Sequence, residues 1–254
     1  MQHAEREHGM IAGLRALVLV GLVTAWWVMA AVLDNPFIPA PAETAAAGLR
    51  LIQNGQLLPA VGNSLLVFVL GFGLAALVAL PAGVLMGAWR TLGRALDPFA
   101  YAFAATPRVA FIPLIIVLLG IGTEAKLTVV FLGAVMPILL NTYSGVAQTD
   151  PSLLEMARSV KAGRWDVFTR IMVPGALPSI VTGLRIGATI GLISTVVAEL
   201  YTAVQGLGGL LALYGNSFRM AEYFVVVLTL AAIGVVVTES LRLVEKLVQR
   251  RRHG

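Results

Sequence analysis

Side chains able to do covalent or metal chemistry are almost missing from the interior of this 254-residue chain. It has no cysteine, which excludes disulfides, thiolate nucleophiles and cysteine metal sites. The three histidines, His3, His8 and His253, lie in the terminal tails, so neither a buried histidine base nor a histidine metal site is expected. No GxxxxGKS/T, GxSxG or HExxH occurs, so the chain carries no phosphate loop, nucleophile elbow or zinc-protease helix of its own. What remains is a small set of polar groups inside long apolar runs: Arg108, Asn141, Thr142, Arg185 and Glu199. Ionised groups in such runs are costly and face a cavity or a partner. Glu199 is the one carboxylate among them. It reads as a gate or pathway residue, or else as a packing ion pair or an interfacial carboxylate. Arg108 and Arg185, near the cytoplasmic ends of their runs, either contact an anion or snorkel to headgroups. Asn141 and Thr142 either line a pathway or bond across helices for about 1 kcal/mol, and packing is the favoured role.

The elements that must hold these groups are membrane spans. The sequence is 58% hydrophobic and 12% charged, with mean hydropathy +0.88, against roughly 25% charged residues in a soluble domain. About 20 apolar residues cross the hydrocarbon core. The expectation is an all-α integral membrane protein of about six transmembrane helices, forming a single domain over residues 1–254. The spans are expected at 16–33, 61–89, 99–119, 127–148, 177–202 and 223–241. The first run exceeds a signal-peptide core and follows Glu5 and Glu7, so it reads as an uncleaved helix. The stretch AETAAAGLRLIQNGQLL reads as a short interfacial helix. Pro81, Pro107, Pro113 and Pro137 fall inside spans, and the carbonyls they free need neighbours in a bundle. Most of the 26 glycines read as sites of close helix approach.

Lysine and arginine set the orientation. With the N-terminus inside, 13 basic residues fall on the cytoplasmic side and Arg50, Lys126 and Arg219 on the outer side. The positive-inside rule then puts both termini in the cytoplasm. Glu199 follows Arg185 by 14 residues, about 21 Å along a helix, towards the outer half. The Arg250–Arg252 cluster is an inner-leaflet anchor rather than a nucleic-acid patch.

One cytoplasmic loop, 149–176, is long and patterned. Asp150 and Pro151 are suited to N-cap and first helical position. A short helix follows, with Leu153, Leu154, Ala157 and Val160 at helical spacing, and Ala162-Gly163 is expected to break it. A second short helix presents Trp165, Phe168 and Met172 beside Val167 and Ile171, until Pro174 and Pro178 stop it and start the fifth span. This aromatic face fits a partner's groove or lies on lipid headgroups.

On these residues the loop resembles the EAA loop of ATP-binding-cassette (ABC) importer permeases, E-A-A-x3-G-x9-I-x-L-P. Here it reads Glu155-Met156-Ala157, Lys161 at the glycine position, Ile171 and Val173-Pro174, with Gly163 two residues late. The departures are Met156, Lys161 and Val173. The likeness to the nitrate/sulfonate/taurine branch extends over residues 64–209, through Ser64, Gly71-Phe72, Pro81, Asp97-Pro98, Pro107, Pro113-Leu114, Gly120-Ile121-Gly122, Asn141-Thr142, Thr182-Gly183-Leu184-Arg185, Ala198-Glu199 and Gly206-Leu207-Gly208. The resemblance implies a type I importer fold and a permease that forms the pathway for a small anion such as a sulfonate, taurine or nitrate. It implies two copies of a cytoplasmic ATPase that hold the ATP and magnesium, a periplasmic or lipid-anchored binding protein, and a second permease copy. Contact with the ATPase would fall on Glu155, Ala157, Lys161, Gly163, Trp165, Phe168, Ile171 and Pro174. The chain would bind no cofactor or metal itself and would not be an enzyme. A stand-alone carrier or channel is the competing reading, but no clear repeat is visible and Glu199 is the one mid-span carboxylate. A membrane-embedded enzyme would need a nucleophile–base set that the spans lack.

Overall fold

A computed structural model describes residues 2–33, 35–202 and 205–250. Every regular element among them is helical. Helix α1 (Gln2–Leu33) leads to α2 (Pro41–Gln53), α3 (Leu57–Ala88) and α4 (Arg90–Ala105), then a 3-10 turn (Arg108–Phe111) and α5 (Ile112–Leu119). Helix α6 (Thr123–Ala147) precedes two short helices, α7 (Pro151–Ser159) and α8 (Arg164–Val167). A π-helical turn (Phe168–Met172) joins α8 to α9 (Val173–Thr202), followed by α10 (Leu207–Asn216) and α11 (Met220–Arg250). Five helices are long and apolar enough to cross a membrane, or six if the bent α4–α5 pair counts as one span.

The bundle is organised on α6, which lies between α3 and α9. Each of the three presents a stripe repeating every four residues, the spacing that places side chains on one helix face. On α3 the stripe is Gly71, Ala75, Ala79, Gly83 and Gly87; on α6 it is Val130, Ala134, Ile138, Thr142 and Val146; all of these are buried. On α9 it is Gly183, Gly187, Gly191, Thr195 and Glu199. A methyl group added at Gly83 would stand 2.7 Å from the Leu139 carbonyl oxygen, and one at Gly187 would stand 2.7 Å from Ile138. Lipid tails are as apolar as leucine, so close contact between small-residue stripes, rather than exclusion of water, holds these helices together.

Two expectations about the spans require correction. The segment 99–119 is not one straight helix: α4 ends at Ala105, and the chain bends by 77° before continuing through the 3-10 turn into α5. Pro107 has no N–H and crowds the preceding turn, and Thr106 is extended (φ −71°, ψ 132°), as expected before proline. The second correction is at Pro174 and Pro178, which do not stop the loop helix. Residues 164–202 form one continuous helical rod. Pro174 cannot donate to the Arg170 carbonyl, and the chain accommodates this by widening locally into the π turn instead of breaking. The stretch read as interfacial is α2. It buries Thr44, Ala47 and Leu51, and a methyl group added at Gly48 would stand 3.6 Å from Val225 on α11.

Candidate coupling, clamp and pathway sites

Loop 149–176 folds as two short helices set on the end of α9. Asp150 caps α7: the Ser152 backbone N–H donates to its carboxylate at 2.9 Å. That bond holds the Asp150 carboxyl below its usual range. Ala157 is buried and anchors α7, whereas Glu155, Met156 and Val160 are exposed. The turn after α7 lies at Lys161, not at Ala162-Gly163. Lys161 adopts φ +56°, the Lys161 N–H donates to Arg158 O, and the Ala162 N–H donates to Ala157 O. This is the Schellman arrangement, whose left-handed residue is ordinarily glycine. The position where the importer motif carries glycine therefore keeps the glycine conformation with a lysine in it. Gly163 is extended and serves as the N-cap of α8. Lys161→Gly is expected to stabilise the turn by about 1 kcal/mol. Slower hydrogen exchange at the Ala162 amide would report it, and unchanged exchange would contradict it.

Trp165 is 73% exposed and packs against Phe168 with ring centroids 5.6 Å apart. Phe168, Ile171, Met172 and Pro174 are half-buried. Met156, Val160 and Trp165 are the most exposed large apolar side chains of this loop. The exposed set is narrower than the spacing alone indicates, because Ile171 and Met172 are half-buried. Ile171 and Pro174 instead line a cavity of about 600 Å³ beneath α7, with Asp150 and Arg170 in its wall.

At the opposite end of α9, Glu199 is fully buried. The Ser64 hydroxyl on α3 donates to its carboxylate, with Oγ 2.8 and 2.9 Å from the two oxygens. The Gly208 N–H donates to Oε2 at 2.9 Å, and the Leu207 N–H donates to Ser64 Oγ at 2.8 Å. Two of the orphan amides at the start of α10 are thus satisfied by one carboxylate and one hydroxyl, and the negative charge meets the positive end of the helix. Lys126, also buried, donates to the Gln205 carbonyl at 3.3 Å. Gly206 has φ +96°, and a methyl group there would overlap the Glu199 carboxylate. The cluster therefore clamps α10 onto α3 and α9. Among its members the sequence reading singled out Glu199 alone as a site. Lys126 read as an outer loop charge, Ser64 as a family position without a role, and Gly206 and Gly208 as an outer turn that is either a gate or simply the loop. The usable signal was Gly206-x-Gly208 seven and nine residues after Glu199.

The other polar groups separate. Thr142 is wholly buried, and its hydroxyl has no partner among the described residues. It packs beneath Gly83. Asn141 is half-buried and donates to the Pro137 carbonyl at 2.8 Å. Arg185 pairs with Glu245 of α11 at 3.1 Å. Arg108 departs most from expectation. It does not sit at the cytoplasmic end of a span, because the bend at Pro107 carries it inward. Its Nη1 donates to Gly133 O at 2.7 Å. Gly133 lies 10 residues from one end of α6 and 14 from the other, or about 15 and 21 Å, so Arg108 reaches mid-bundle.

The family described as binding-protein-dependent transport system inner membrane component matches residues 79–254. The chain is 32% identical over 229 residues to a putative ABC transporter permease protein of Methanocaldococcus jannaschii, covering 88% of this chain and 86% of that one. It is 33% identical over 197 residues to the taurine transport system permease protein TauC of Escherichia coli, covering 75% and 72%. Its fold is similar to that of a chain in the inward-facing MetNI methionine ABC transporter, with TM-score 0.67 and 20% identity over 76% of this chain and 95% of that one.

Proposed function

This chain belongs to the binding-protein-dependent transport system inner membrane components, and from that premise we propose that it forms the pathway of an ATP-driven importer for a small anion. It is a multi-pass permease of the inner membrane. The observation that carries the coupled reading is exposed Trp165 at the start of the continuous helical rod 164–202, with exposed Met156 and Val160 on the α7 segment just before it. A cytoplasmic ATPase would grip these side chains, and α7 and α8 would act as its handle. From Trp165 to Glu199 is 34 residues, about 50 Å of near-continuous helix. Movement imposed at the loop would reach the α10 clamp without crossing a break in the chain. ATP and magnesium would reside on the two ATPase copies.

The 13-to-3 distribution of basic residues supports a cytoplasmic loop and cytoplasmic termini, with the Glu199–α10 clamp outside, where a binding protein would deliver solute. A second permease copy is supported by α1, whose 13–33 stretch is exposed apart from half-buried Trp26 and Ala30. Residues 1–254 would form one permease domain. The taurine permease among the relatives supports an anionic cargo of the sulfonate class.

The test is purification of the tagged chain from its native membranes in mild detergent, with mass spectrometry of its companions. About one copy of a phosphate-loop ATPase per permease is expected. A chain recovered alone that moves solute in liposomes without ATP would make it a stand-alone carrier.

A further inference from the structure

Arg108 carries a charge that nothing nearby cancels. Arg185, Arg219 and Arg242 each meet a carboxylate within 3.1 Å, but Arg108 has no carboxylate within ion-pair reach among the described residues. Its contacts are neutral carbonyls: Gly133 O at 2.7 Å, and Leu132 O and Ala104 O at 3.4 Å. The strongest of these follows from the sequence. Pro137 has no N–H, so the Gly133 carbonyl four residues earlier loses its helical donor, and Nη1 supplies the missing one. Arg108 thus ties the proline break of one span to the mid-helix proline of the next. Nη1 makes two of these contacts, and Nη2 makes one long one. The Nε–H has no partner among the described residues, so the Nε/Nη2 edge, the side of a guanidinium that grips two oxygens at once, is not saturated.

A cavity of about 50 Å³ is lined by Arg108, by Ile112, Ile115, Val129 and Val197, and by one further donor, Ser194. The hydroxyls of Thr182, Thr189 and Thr195 on the same helix bond back to their own backbone. The Ser194 hydroxyl makes no hydrogen bond among the described residues. A water-sized occupant needs roughly 10–15 Å³, so the cavity of about 50 Å³ has room for about three to five such atoms. Nitrate or a sulfonate head has four heavy atoms. Val109 and Ile193 at its rim are more than half exposed, leaving a way out for a tail.

We propose that Arg108 and Ser194 form a mid-membrane site for a small oxyanion head, nitrate, sulfonate or carboxylate, with Arg108 supplying charge and a two-pronged grip and Ser194 a third donor. The proposal rests on the permease reading and gives its anion a place to stop within the span. The neutral carbonyls fix the guanidinium without discharging it, so the charge remains available to cargo.

The full-length chain in lipid nanodiscs is titrated with radiolabelled methanesulfonate. Saturable binding of one anion per chain is expected, displaced by nitrate but not by dimethyl sulfone, its neutral isostere. Arg108→Gln should weaken binding at least ten-fold, and Ser194→Ala, which disturbs no existing hydrogen bond, several-fold. Arg108→Lys, which keeps the charge and loses the two-pronged grip, should fall between wild type and Arg108→Gln. Absence of saturable binding, equal displacement by dimethyl sulfone, or wild-type affinity in both Arg108→Gln and Ser194→Ala would overturn the site. ATPase co-purification is scored on the same variants. Because the titration contains no ATPase, a chain that binds the anion but captures no ATPase supports the site and removes the coupled reading. A chain that captures ATPase but binds no anion removes the site alone.

Discussion

A chain carrying Trp165→Ala together with Phe168→Ala is expected to reach the membrane at its normal level and to transport nothing. Trp165 is mostly exposed, so its loss leaves no cavity in the bundle and takes little from the fold. Phe168 is half-buried, with its ring on Trp165, and supports it in place. Aromatic anchors at the centre of a protein interface are each worth roughly 2 kcal/mol or more. Loss of both corresponds to about a thousand-fold weaker grip on the ATPase, below what a complex at cellular concentrations tolerates. Three measurements on one preparation decide it: membrane level, ATPase co-purification and ATP-dependent uptake. Normal level with the other two lost is the expected result. Retained uptake would mean that the ATPase grips elsewhere, with Met156 and Val160 the next surfaces to test.

The second large effect is expected at Gly206. Its φ of +96° with ψ near 180° lies in a region open essentially to glycine, at about 1–3 kcal/mol for other residues. In Gly206→Ala the added methyl group would also occupy the space of the Glu199 carboxylate. Displacing that carboxylate breaks its bonds with Gly208 and Ser64 and leaves a buried charge short of donors, a further 1–3 kcal/mol or more. The expectation is a marked fall in thermal unfolding temperature and at least ten-fold lower uptake. The diagnostic is the double variant with Glu199→Ala. It removes the obstructing carboxylate, so the two substitutions together should destabilise less than the sum of each alone. Strict additivity would show that backbone strain alone accounts for Gly206. Unaltered uptake and melting in the single variant would remove the α10 clamp from the transport cycle.

Features that depend on local chemistry were legible along the chain. The number of membrane helices, the capped α7 and the amphipathic α2 follow from apolar length, from Asp150-Pro151 and from residue spacing. Each is decided by neighbours within a few positions. The close-packing role of Gly83 and Gly187 was also readable, since a four-residue repeat of small residues has one use between lipid-immersed helices. Local signals misled where a proline admits two outcomes. Pro107 breaks its span by 77°, whereas Pro174 only widens a turn in a rod that continues for 39 residues. The difference lies in what surrounds the freed groups, which no window of sequence contains. Lys161 is a similar case. A lysine argues against a left-handed turn, and the turn forms there with the Lys161 and Ala162 amides closing the end of α7 on the Arg158 and Ala157 carbonyls.

By itself the sequence determined that this protein lives in lipid and that its spans carry no cysteine or histidine, and it marked out the patterned loop proposed as a partner's grip. These are matters of composition, of absent residue types and of local spacing. The tertiary structure alone decided what the buried polar groups do. Glu199 closes on Ser64 from 135 residues away and on the amides that begin α10, so it is a clamp rather than a free carboxylate in a channel. Arg108 crosses to the carbonyl that Pro137 leaves unpaired, which moves its charge from a span's end to the middle of the bundle. In a medium without water a polar group is defined by the partner that satisfies it, and that partner is chosen by packing between distant segments.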